Sequence, residues 1–596
     1  MSLWIAGISL GHNAGVCLLK DGEIIFSIEE ERLSKSKHDG GPMLSLMKIL
    51  DYTDKIDYLV ISQTGTYYEY QETAIIEYSR EPVYQGLARR LGLIEQPEDG
   101  NTGTQSPQVI NMFYNHHQLH SAIAFYNSGF ETATSVIVDS TGSSRKIPKL
   151  WSHEKEDSIY FETESFFTCS YQKGIHPLYK QMMCDKGGSR TIKNCHDSIL
   201  NETFDLVIDE GAGIGKVWDS VTDYCGFNIN ECGKTMGLSA FGSINDELPD
   251  LYQNDTANKD LIKVWYPYRT ELNVSKYWRL NDADWDKDDL SKSKGRRDMA
   301  FKAQKETQEQ VLKLIIKASE MSNNKNIVLS GGYALNCVSN YYYLDTLKEH
   351  DINLYVEPNS SDAGTATGAA FLYHSTISNV SKKERIKSLF LGPDYNYSIN
   401  DIQEKIEKYD ADITKCSYKD VAELIKDGNI VSIFQGRSEN GPRALGNRSI
   451  LFNPTISNGK DIVNKVKGRE YFRPFAASVM KEYVHDWFDM KGLDESPHMM
   501  YAVDVKEDKK DLIPAVLHVD DTCRIQTVTK ENNEHYYNLI DEFYKLTDIP
   551  LLFNTSFNLA GDPLVETFDD ALKVLNNSGM EYCYMPELSN LIRIKG

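Results

Sequence analysis

Runs of hydrophobic residues that end in turns of small residues recur along the chain and predict strands. They are WIAGISLGHNAG near the start, SVIVDSTGSS at 135–144 and NIVLSGGYALN at 326–336. The first run continues into VCLLKDGEIIFSIEEE, where Lys-Asp-Gly is typical of a hairpin turn. Helical patterns fill the gaps, notably over 297–321. Strand, glycine-rich turn and helix together favour an α/β domain that holds a phosphate or nucleotide at its turns.

Length and patterning together predict two α/β domains. A charged stretch followed by Gly-Pro, within 378–396, indicates the boundary between them. We therefore expect a first domain over 1–385 and a second over 386–596, with the last residues able to pack back on the first domain. Between 155 and 300 the pattern is irregular, and we expect insertions or lids there that shape a substrate pocket.

Composition and charge narrow the class of protein. Of 596 residues, 41% are hydrophobic and 25% charged, which is ordinary for a soluble globular protein. The start of the chain lacks the features of a signal peptide, and no apolar run reaches the roughly 18 residues that span a bilayer. The ten cysteines form no CxxC pair, so we expect reduced, mostly buried thiols. We expect a cytoplasmic protein without a membrane partner.

The formal net charge of −23 argues against binding to a nucleic acid polymer, because phosphate backbones need concentrated Lys and Arg. One region reverses this acidic balance. Between 435 and 475, eight basic residues face three acidic ones. Such an island suggests a focused pocket for a small polyanion, with a solvated helix face as the alternative. Interleaved Gly, Pro and Asn make a plain helix face the weaker interpretation.

Three histidines crowd the stretch NHHQLH at 115–120. His116 and His120 stand four residues apart, so on a helix both rings leave the same face. Asn115 is the predicted N-cap of that helix. The spacing suits two imidazoles that share one metal ion, and it equally suits a hydrogen-bonded histidine cluster. The spacing alone leaves both interpretations open.

Several stretches, in order along nearly the whole chain, resemble O-carbamoyltransferases of the nodulation protein U and cephalosporin/tobramycin type. They are HHQLH, GKTMGLSAFG at 233–242, GGYALNCVSN at 331–340, GRSENGPRALGNRSILFNPT at 436–455, VKGREYFRPFAASV at 466–479, HVDDTCRIQTV at 518–528 and FNTSFNLAGDPLV at 553–565. Any one of these motifs is weak, but GPRALGNRS beside FRPFA is specific.

The resemblance implies a TsaD-like α/β domain of the actin/sugar-kinase type joined to a YrdC-like twisted-sheet α/β domain. The YrdC-like domain would make carbamoyl adenylate from carbamoyl phosphate and ATP, with Mg accompanying the ATP. The TsaD-like domain would pass the carbamoyl group to a hydroxyl of a small-molecule acceptor, such as a natural product, a sugar or a nucleotide. An internal passage for the labile intermediate would exclude water. Relatives also suggest a homodimer.

The resemblance further implies a metal site. Its ligands would be His116, His120, Asp139 and Asp362, and in the family the ion is usually assigned as Fe(II). This donor set also suits Mn(II) or Zn(II), so the sequence does not choose among them. The ion would act as a Lewis acid. His12 would either deprotonate the acceptor hydroxyl or orient a phosphate.

The other implied site residues bind phosphates or nucleotide. Lys467 and Arg473 would be catalytic, because fixed cations stabilise the charge that moves onto pyrophosphate. Contacts to ATP in the second domain are assigned to Arg443, Arg448, Arg469, Arg524, Asn554 and Ser556. Contacts to the adenylate in the first domain are assigned to Lys234, Gly331, Gly332 and Asn336. Lys234 could equally be a surface lysine in a tight loop, and one or two of the arginines could be structural.

Two other functions stay open. A threonylcarbamoyl-adenylate-forming, tRNA-modifying enzyme shares both domain types, but the acidic balance argues against tRNA as a partner. A catalytically inactive nucleotide-binding regulator is disfavoured, because the implied metal ligands and the basic residues are all present. An ATP-dependent carbamoyltransferase is therefore the leading prediction.

Overall fold

The computed structural model describes residues 2–63, 77–78, 81–96, 106–146, 159–184, 189–253, 255–265, 269–273 and 294–595. The chain divides into two compact units. The first comprises Met1–Glu30 and His38–Ile386, and the second comprises Glu31–Lys37 and Lys387–Gly596. The predicted boundary lies one residue from the division after Ile386. The grouping of Glu31–Lys37 with the second unit is a departure that the sequence pattern did not predict.

The first unit contains nineteen described strands. They are β1 (Trp4–Leu10), β2 (Gly15–Lys20), β3 (Glu23–Glu29), β4 (Tyr58–Gln63), β5 (Glu77–Tyr78), β6 (Glu81–Pro82), β7 (Val109–Asn111), β8 (Thr132–Val138), β9 (Ser144–Lys146), β10 (Ile159–Ser170), β11 (Gly174–Cys184), β12 (Arg190–Asp197), β13 (Glu202–Asp209), β14 (Tyr252–Gln253), β15 (Thr256–Ala257), β16 (Ile262–Trp265), β17 (Arg269–Leu272), β18 (Asn326–Ser330) and β19 (Asn353–Val356). The three strands predicted from hydrophobic runs are confirmed as β1, β8 and β18.

The second unit contains ten strands, and helices occur throughout the chain. The strands are β20 (Ala411–Lys415), β21 (Val431–Phe434), β22 (Arg448–Phe452), β23 (Ala476–Met480), β24 (Phe488–Asp489), β25 (Ala502–Val505), β26 (Thr522–Val528), β27 (Leu551–Ser556), β28 (Tyr582–Met585) and β29 (Asn590–Ile594). The described helices are α1 (Glu30–Ser34), α2 (Met43–Met47), α3 (Val83–Arg90), α4 (His116–Ser128), α5 (Ile214–Tyr224), α6 (Cys232–Ser239), α7 (Lys294–Ser322), α8 (Cys337–Glu349), α9 (Gly364–Ile377), α10 (Ile399–Ile406), α11 (Tyr418–Lys426), α12 (Gly459–Lys467), α13 (Val484–Trp487), α14 (Glu534–Thr547) and α15 (Phe568–Ser578). Among the described residues, none of these helices has the length and apolar character needed to cross a membrane.

Two larger sheets organise the first unit. One has the order β3-β2-β1-β4-β7, in which β1 pairs antiparallel with β2 and parallel with β4. The other has the order β12-β13-β11-β10-β8-β18-β19, with β9 beside β10. Strands β8, β18 and β19 are mutually parallel, so their carboxyl ends lie at one edge. The α/β class predicted for this part of the chain is confirmed.

Helices α4 and α9 pack against each other between these sheets. Helix α9 packs on β1, β2 and β4, while α4 packs on β8, β10 and β18. The contacts are close because glycine lies at the crossings. A Cβ on Gly368 would stand 2.1 Å from the Leu119 carbonyl oxygen, and one on Gly7 would stand 2.0 Å from the Ala366 oxygen. The fold thus brings the first turn of α4 beside the loop that precedes α9.

The region 155–300, expected to contain insertions or lids, holds two kinds of element. Strands β10 to β13 lie in the second sheet of the unit, whereas β14–β15 and β16–β17 form separate two-stranded sheets. The expected insertions or lids stay a prediction. The segments 155–158, 185–188, 266–268 and 274–293 lie outside the described residues. Periodicity failed here because β10 is buried on both faces over 160–167 and its pairing with β11 carries bulges, which disrupt simple alternation.

The second unit is built on one ten-stranded sheet. Its order is β20-β29-β28-β21-β22-β27-β23-β26-β25-β24. This mixed sheet and its helices confirm the α/β class of the second domain. The last strand, β29, pairs antiparallel with β28 and β20. The last residues therefore complete the sheet of the second unit, and their expected packing against the first domain stays a prediction.

Candidate metal centre and basic site

The four residues predicted to bind a metal lie together in the first unit. His116 and His120 belong to the first turns of α4, Asp139 follows β8, and Asp362 lies in the loop between β19 and α9. All four side chains are buried, and each offers a ligand atom within 4.8 Å of the other three. Residues separated by more than 240 positions thus converge on one point.

The distances inside this cluster are short. The Nε2 atoms of His116 and His120 are 3.2 Å apart. His116 Nε2 lies 3.1 Å from Asp139 Oδ2, and each histidine Nε2 lies 3.6 Å from Asp362 Oδ1. Two imidazole nitrogens that face each other at this distance need a proton or a cation between their lone pairs.

Backbone contacts fix the direction of the ligands. Ser143 Oγ accepts the His116 amide at 3.2 Å and so holds the start of α4. Asn115 occupies the predicted N-cap position, but its side chain bonds to Gln118 instead of capping the helix. Asp139 Oδ1 accepts the amides of Ser140 and Gly332, which leaves Oδ2 facing His116. The amide of Gly332, predicted to bracket an adenylate, thus orients a carboxylate.

The electrostatics of the cluster favour a positive charge. Burial alone would lower the pKa of His116, but Asp362 and Asp139 outweigh burial and raise it to about 9. Burial would raise the pKa of Asp362, but His12, His116 and His120 outweigh it and hold that pKa well below its usual range. Two buried carboxylates beside two imidazoles therefore attract a cation into the space between them.

The donor set fits a divalent metal ion. Ligand atoms bound about 2.1 Å from one ion lie roughly 3.0–3.5 Å apart in tetrahedral or octahedral geometry, close to the spacing within the cluster. Two imidazoles with two carboxylates suit Fe(II), Mn(II) and Zn(II) alike. The four residues present could hold such an ion without rearrangement of the backbone.

Two other histidines lie near the cluster but differ from its members. His12 Nε2 is 3.4 Å from Asp362 Oδ2, and its side chain is 50% exposed. It is therefore the member of the group that a substrate can reach. His117 points the other way, with Nδ1 2.8 Å from Ser165 Oγ. Burial lowers the pKa of His117 to about 4, so it is neutral and packs against the sheet.

The remaining residues predicted to contact the adenylate in the first unit have structural partners. Gly331 has a φ of +91°, and a Cβ there would stand 2.4 Å from the Val138 oxygen. Asn336 caps α8 by accepting the Ser339 amide, and Lys234 pairs with Glu231 at 2.7 Å. Their binding roles stay predictions, because these contacts account for the side chains without a ligand.

In the second unit, Lys467 is the centre of the predicted basic site. It ends α12, is buried, and donates to the Ser556 backbone oxygen and, at 2.8 and 2.9 Å, to the backbone and side-chain oxygens of Asn558. Ser556 Oγ donates to Asn558 Oδ1 at 2.6 Å. Sequence reasoning missed Asn558. The available signal was its place two residues after Ser556, just beyond β27.

Arg469 and Arg473 lie near this lysine, and Arg524 lies near Arg469. Arg469 donates to Thr555 Oγ1 at 3.4 Å and lies over the ring of Phe475. Burial, together with Arg469, Arg473 and Lys37, lowers the pKa of Lys467 well below its usual range. Burial, then Arg473 and Arg524, likewise lowers the pKa of Arg469. Like charges held this close favour an anionic ligand.

Arg448 departs from its predicted role. Its side chain is fully buried and lies over the ring of Phe434, with the guanidinium carbon 3.8 Å from the ring centre. The guanidinium donates to the backbone oxygens of Gln435, Gly436, Asn447 and Glu566. It therefore joins strands and turns of the fold, where a phosphate contact was predicted.

Two further predicted ATP contacts lie in or beside the turn at 440–447. Asn554 is buried and donates to Ser478 Oγ and the Ala444 oxygen, so it braces this turn. Arg443 lies within the turn, with its side chain half-buried. The structure thus places Lys467, Arg469, Arg473 and Ser556 near one another, while Arg448 and Asn554 support the surrounding backbone.

Comparison with known proteins gives the family. The model described as carbamoyltransferase N-terminus matches residues 93–371, and the model described as carbamoyltransferase C-terminus matches residues 422–590. Together they cover most of the chain, and each falls largely within one of the two units. The motifs quoted above lie almost entirely inside these two ranges.

Relatives agree with these models. The chain is 29% identical to an uncharacterized protein of Synechocystis, over 97% of this chain and 95% of that protein. It is 29% identical to nodulation protein NolNO of Sinorhizobium fredii, over 94% of this chain and 76% of that protein. It is 34% identical to nodulation protein U of Azorhizobium caulinodans, over 40% of each.

Solved structures show only a remote similarity. Full-length HypF in a phosphate- and nucleotide-bound form matches 63% of this chain and 55% of its own length, with 13% identity and a TM-score of 0.33. A glucokinase of the ROK family from Streptomyces griseus matches 62% of this chain, with 9% identity and a TM-score of 0.29. The two family models and the relatives, rather than these structures, establish that the chain is an enzyme of the carbamoyltransferase family.

Proposed function

We propose that the chain makes carbamoyl adenylate from ATP and carbamoyl phosphate and then transfers the carbamoyl group to a hydroxyl of a small molecule. Family membership establishes carbamoyl transfer. The adenylate, the co-substrates and the acceptor are the proposal. One observation carries it: the two units hold chemically different sites, a two-histidine, two-carboxylate cluster in one and a group of basic side chains around the buried Lys467 in the other.

The first half-reaction would occur in the second unit. Water would cleave carbamoyl phosphate to carbamate and phosphate. A carbamate oxygen would then bond to the α-phosphorus of ATP as the α–β anhydride breaks, which gives carbamoyl adenylate and moves negative charge onto the leaving pyrophosphate. Lys467, Arg469 and Arg473 would stabilise that charge, since they are already fixed by the fold before the charge develops.

The second half-reaction would occur in the first unit. A divalent ion held by His116, His120, Asp139 and Asp362 would supply Lewis acidity at the donor. His12 would accept the proton of the acceptor hydroxyl, because it is half exposed and its ring is held near Asp362. The hydroxyl oxygen bonds to the carbamoyl carbon, the bond from that carbon to the phosphate oxygen breaks, and AMP leaves.

Two substitutions test the assignment of one half-reaction to each unit. His120→Ala should remove most bound metal and abolish AMP formation from supplied carbamoyl adenylate. It should leave intact the exchange of labelled pyrophosphate into ATP that depends on carbamoyl phosphate. Arg473→Ala should leave metal binding and AMP formation from carbamoyl adenylate intact. It should lower the pyrophosphate exchange roughly ten- to a hundred-fold, through loss of one charge-assisted contact.

His117→Gln provides a matched control for the first substitution, because His117 neighbours the ligands but faces Ser165. It should keep metal and both activities. Equal loss of both half-reactions in His120→Ala and Arg473→Ala, with folded protein, would contradict the division of labour. Wild-type protein that shows no exchange with carbamoyl phosphate would contradict the adenylate itself.

A further inference from the structure

Glu357 is a buried carboxylate that the proposed reaction does not use. It directly follows β19, and its side chain is 0% exposed. Its Oε2 atom accepts from Asn127 Nδ2 and from the Tyr355 hydroxyl, both at 3.1 Å. Its Oε1 atom accepts from the Asn359 amide at 2.9 Å. All three donors are neutral, so the carboxylate is held by hydrogen bonds rather than by an ion pair.

The contact with Asn127 joins a loop to the metal-binding helix. Asn127 lies in the last turn of α4, whereas His116 begins that helix. Seven helical residues separate Asn127 from His120, which is about 10 Å along the axis. Glu357 is therefore placed at the opposite end of α4 from the candidate ligands.

The loop from Glu357 to Ala363 follows α4 between these ends. At one end Glu357 binds Asn127, and at the other Asp362 lies 3.6 Å from His120. Just after the loop, Gly364 begins α9 beside α4, since a Cβ there would stand 3.3 Å from Ile123 Cδ1 and 2.0 Å from the Asn359 oxygen. The loop that carries Asp362 is thus in contact with α4 near each of its two ends.

We propose that Glu357 is a positioning residue for the metal site. By binding Asn127, it anchors the start of the 357–363 loop to α4 and so sets the separation between Asp362 and the two histidines. This inference rests on the metal site proposed above. It predicts that metal affinity depends on a hydrogen bond that touches none of the four ligands.

Removal of the Glu357 side chain should weaken metal binding although none of the four ligands is changed. Glu357→Ala leaves the donors of Asn127, Tyr355 and Asn359 without their buried acceptor, so the loop gains freedom to move. Loss of a partner that orients metal ligands typically weakens affinity by about 10- to 100-fold. Glu357→Gln keeps the size and one acceptor oxygen, and Asn127 can turn its amide to match. The glutamine variant should therefore retain most of the affinity.

The test is a titration of the full-length, metal-stripped chain with Mn²⁺, in which binding is monitored by the electron paramagnetic resonance signal of the Mn²⁺. Glu357→Ala and Asn127→Ala should each bind Mn²⁺ about 10- to 100-fold more weakly than wild type. The double variant should bind no more weakly than Glu357→Ala alone, because that change already breaks the bond to Asn127. Glu357→Gln should lie near wild type.

Asn245→Ala is the matched control. Asn245 Nδ2 donates to Asp298 Oδ2 at 2.9 Å, so it is also an amide bound to a carboxylate in the first unit, but its partner lies on α7. This variant should keep wild-type Mn²⁺ affinity even if it unfolds at a lower temperature.

Three outcomes overturn the inference. Wild-type affinity in folded Asn127→Ala would do so even if Glu357→Ala fails to fold, and so would an equal loss of affinity in Asn245→Ala. Wild-type protein that binds neither Mn²⁺, Fe²⁺ nor Zn²⁺ would overturn the proposed metal site together with this role for Glu357. Failure of the metal site can be distinguished from failure of the role of Glu357 alone, because the wild-type protein is titrated before any variant.

Discussion

The metal cluster of the first unit and the basic site of the second unit were predicted with unequal detail. All four predicted ligands, His116, His120, Asp139 and Asp362, converge within 4.8 Å. In the basic site the outcome is mixed: Arg469 and Arg473 lie near Lys467, but Lys467 and Arg448 are both buried and donate to backbone oxygens. Few arrangements other than a metal site require two histidines and two buried carboxylates together. An arginine serves equally well as an anion ligand or as a buried backbone brace.

The clearest test of this comparison is the difference expected between substitutions of Arg448 and Arg469. Arg448→Met should lower the free energy of unfolding of the second unit by about 3 kcal/mol or more, because several buried backbone oxygens lose their donor. Arg469→Ala should change stability much less but lower carbamoyl-phosphate-dependent pyrophosphate exchange by roughly ten- to a hundred-fold. Denaturant unfolding and exchange kinetics on the same preparations would measure both effects.

The distinction between the two arginines would be wrong if Arg448→Met and Arg469→Ala changed stability and exchange in the same way. Undiminished stability in Arg448→Met, together with lost exchange, would return Arg448 to its predicted role as a phosphate contact. Exchange rates must be expressed per folded molecule, so that a loss of folded protein in Arg448→Met is not counted as a loss of activity.

Substitution of Asn558 should have a smaller effect on the basic site. Its side-chain oxygen accepts from Lys467 Nζ at 2.9 Å and from Ser556 Oγ at 2.6 Å. Asn558→Ala should leave Lys467 less well oriented and raise the KM for ATP by roughly tenfold, as expected for one lost hydrogen bond to a charged group. Steady-state exchange at varied ATP would show it. A lowered kcat with unchanged KM would mean that Asn558 does not act through binding of ATP.

The smallest predicted effect concerns stability and pH in the first unit. Burial raises the pKa of Glu357 to about 7, above its ordinary value of 4.5. A carboxyl whose pKa is raised by folding stabilises the protein fully below pH 4.5, and that contribution is lost as pH rises through 7. Glu357→Gln cannot ionise, so the Tm of its metal-stripped form should fall less than that of wild type between pH 5 and 8.

Thermal unfolding in the presence of EDTA would measure this difference, expected to be a few degrees or less for so large a chain. Burial raises the pKa of Glu164 to about 7 as well, and both proteins retain that group. Parallel Tm curves for wild type and Glu357→Gln would show that Glu357 does not titrate in this range.

Much of the fold was predictable, and the reasons for the exceptions are physical. Strands β1, β8 and β18 are short, apolar and end in glycine-rich turns, so their pattern identifies them. Strand β10 is buried on both faces over 160–167 and pairs with β11 through bulges, so no simple alternation marks it. The pairing of β29 within the second unit depends on long-range contacts that no local pattern encodes.

The candidate sites likewise contain some residues whose positions the sequence predicted and others whose roles depend on the fold. The four-residue spacing of His116 and His120 predicts that both rings leave one face of a helix, and the family resemblance, rather than the spacing, chose a metal site over a histidine cluster. The direction of Arg448 and the part played by Asn558 depend on which backbone groups the fold leaves to be satisfied. Glu357 gave no sequence signal, since a lone acid after a strand is indistinguishable from a surface residue until its burial is known.

The central claim is that one unit activates the carbamoyl group and the other transfers it at a metal. The most direct measurement strips the wild-type chain of metal with a chelator, restores Mg²⁺ and follows both half-reactions. Mg²⁺ prefers oxygen ligands and should not replace an ion bound by two imidazoles. We predict that carbamoyl-phosphate-dependent pyrophosphate exchange continues, that AMP formation from carbamoyl adenylate falls to the rate measured without enzyme, and that Fe²⁺ or Mn²⁺ restores the enzymatic rate. AMP formation that persists without the metal, or exchange that disappears with it, would contradict the account.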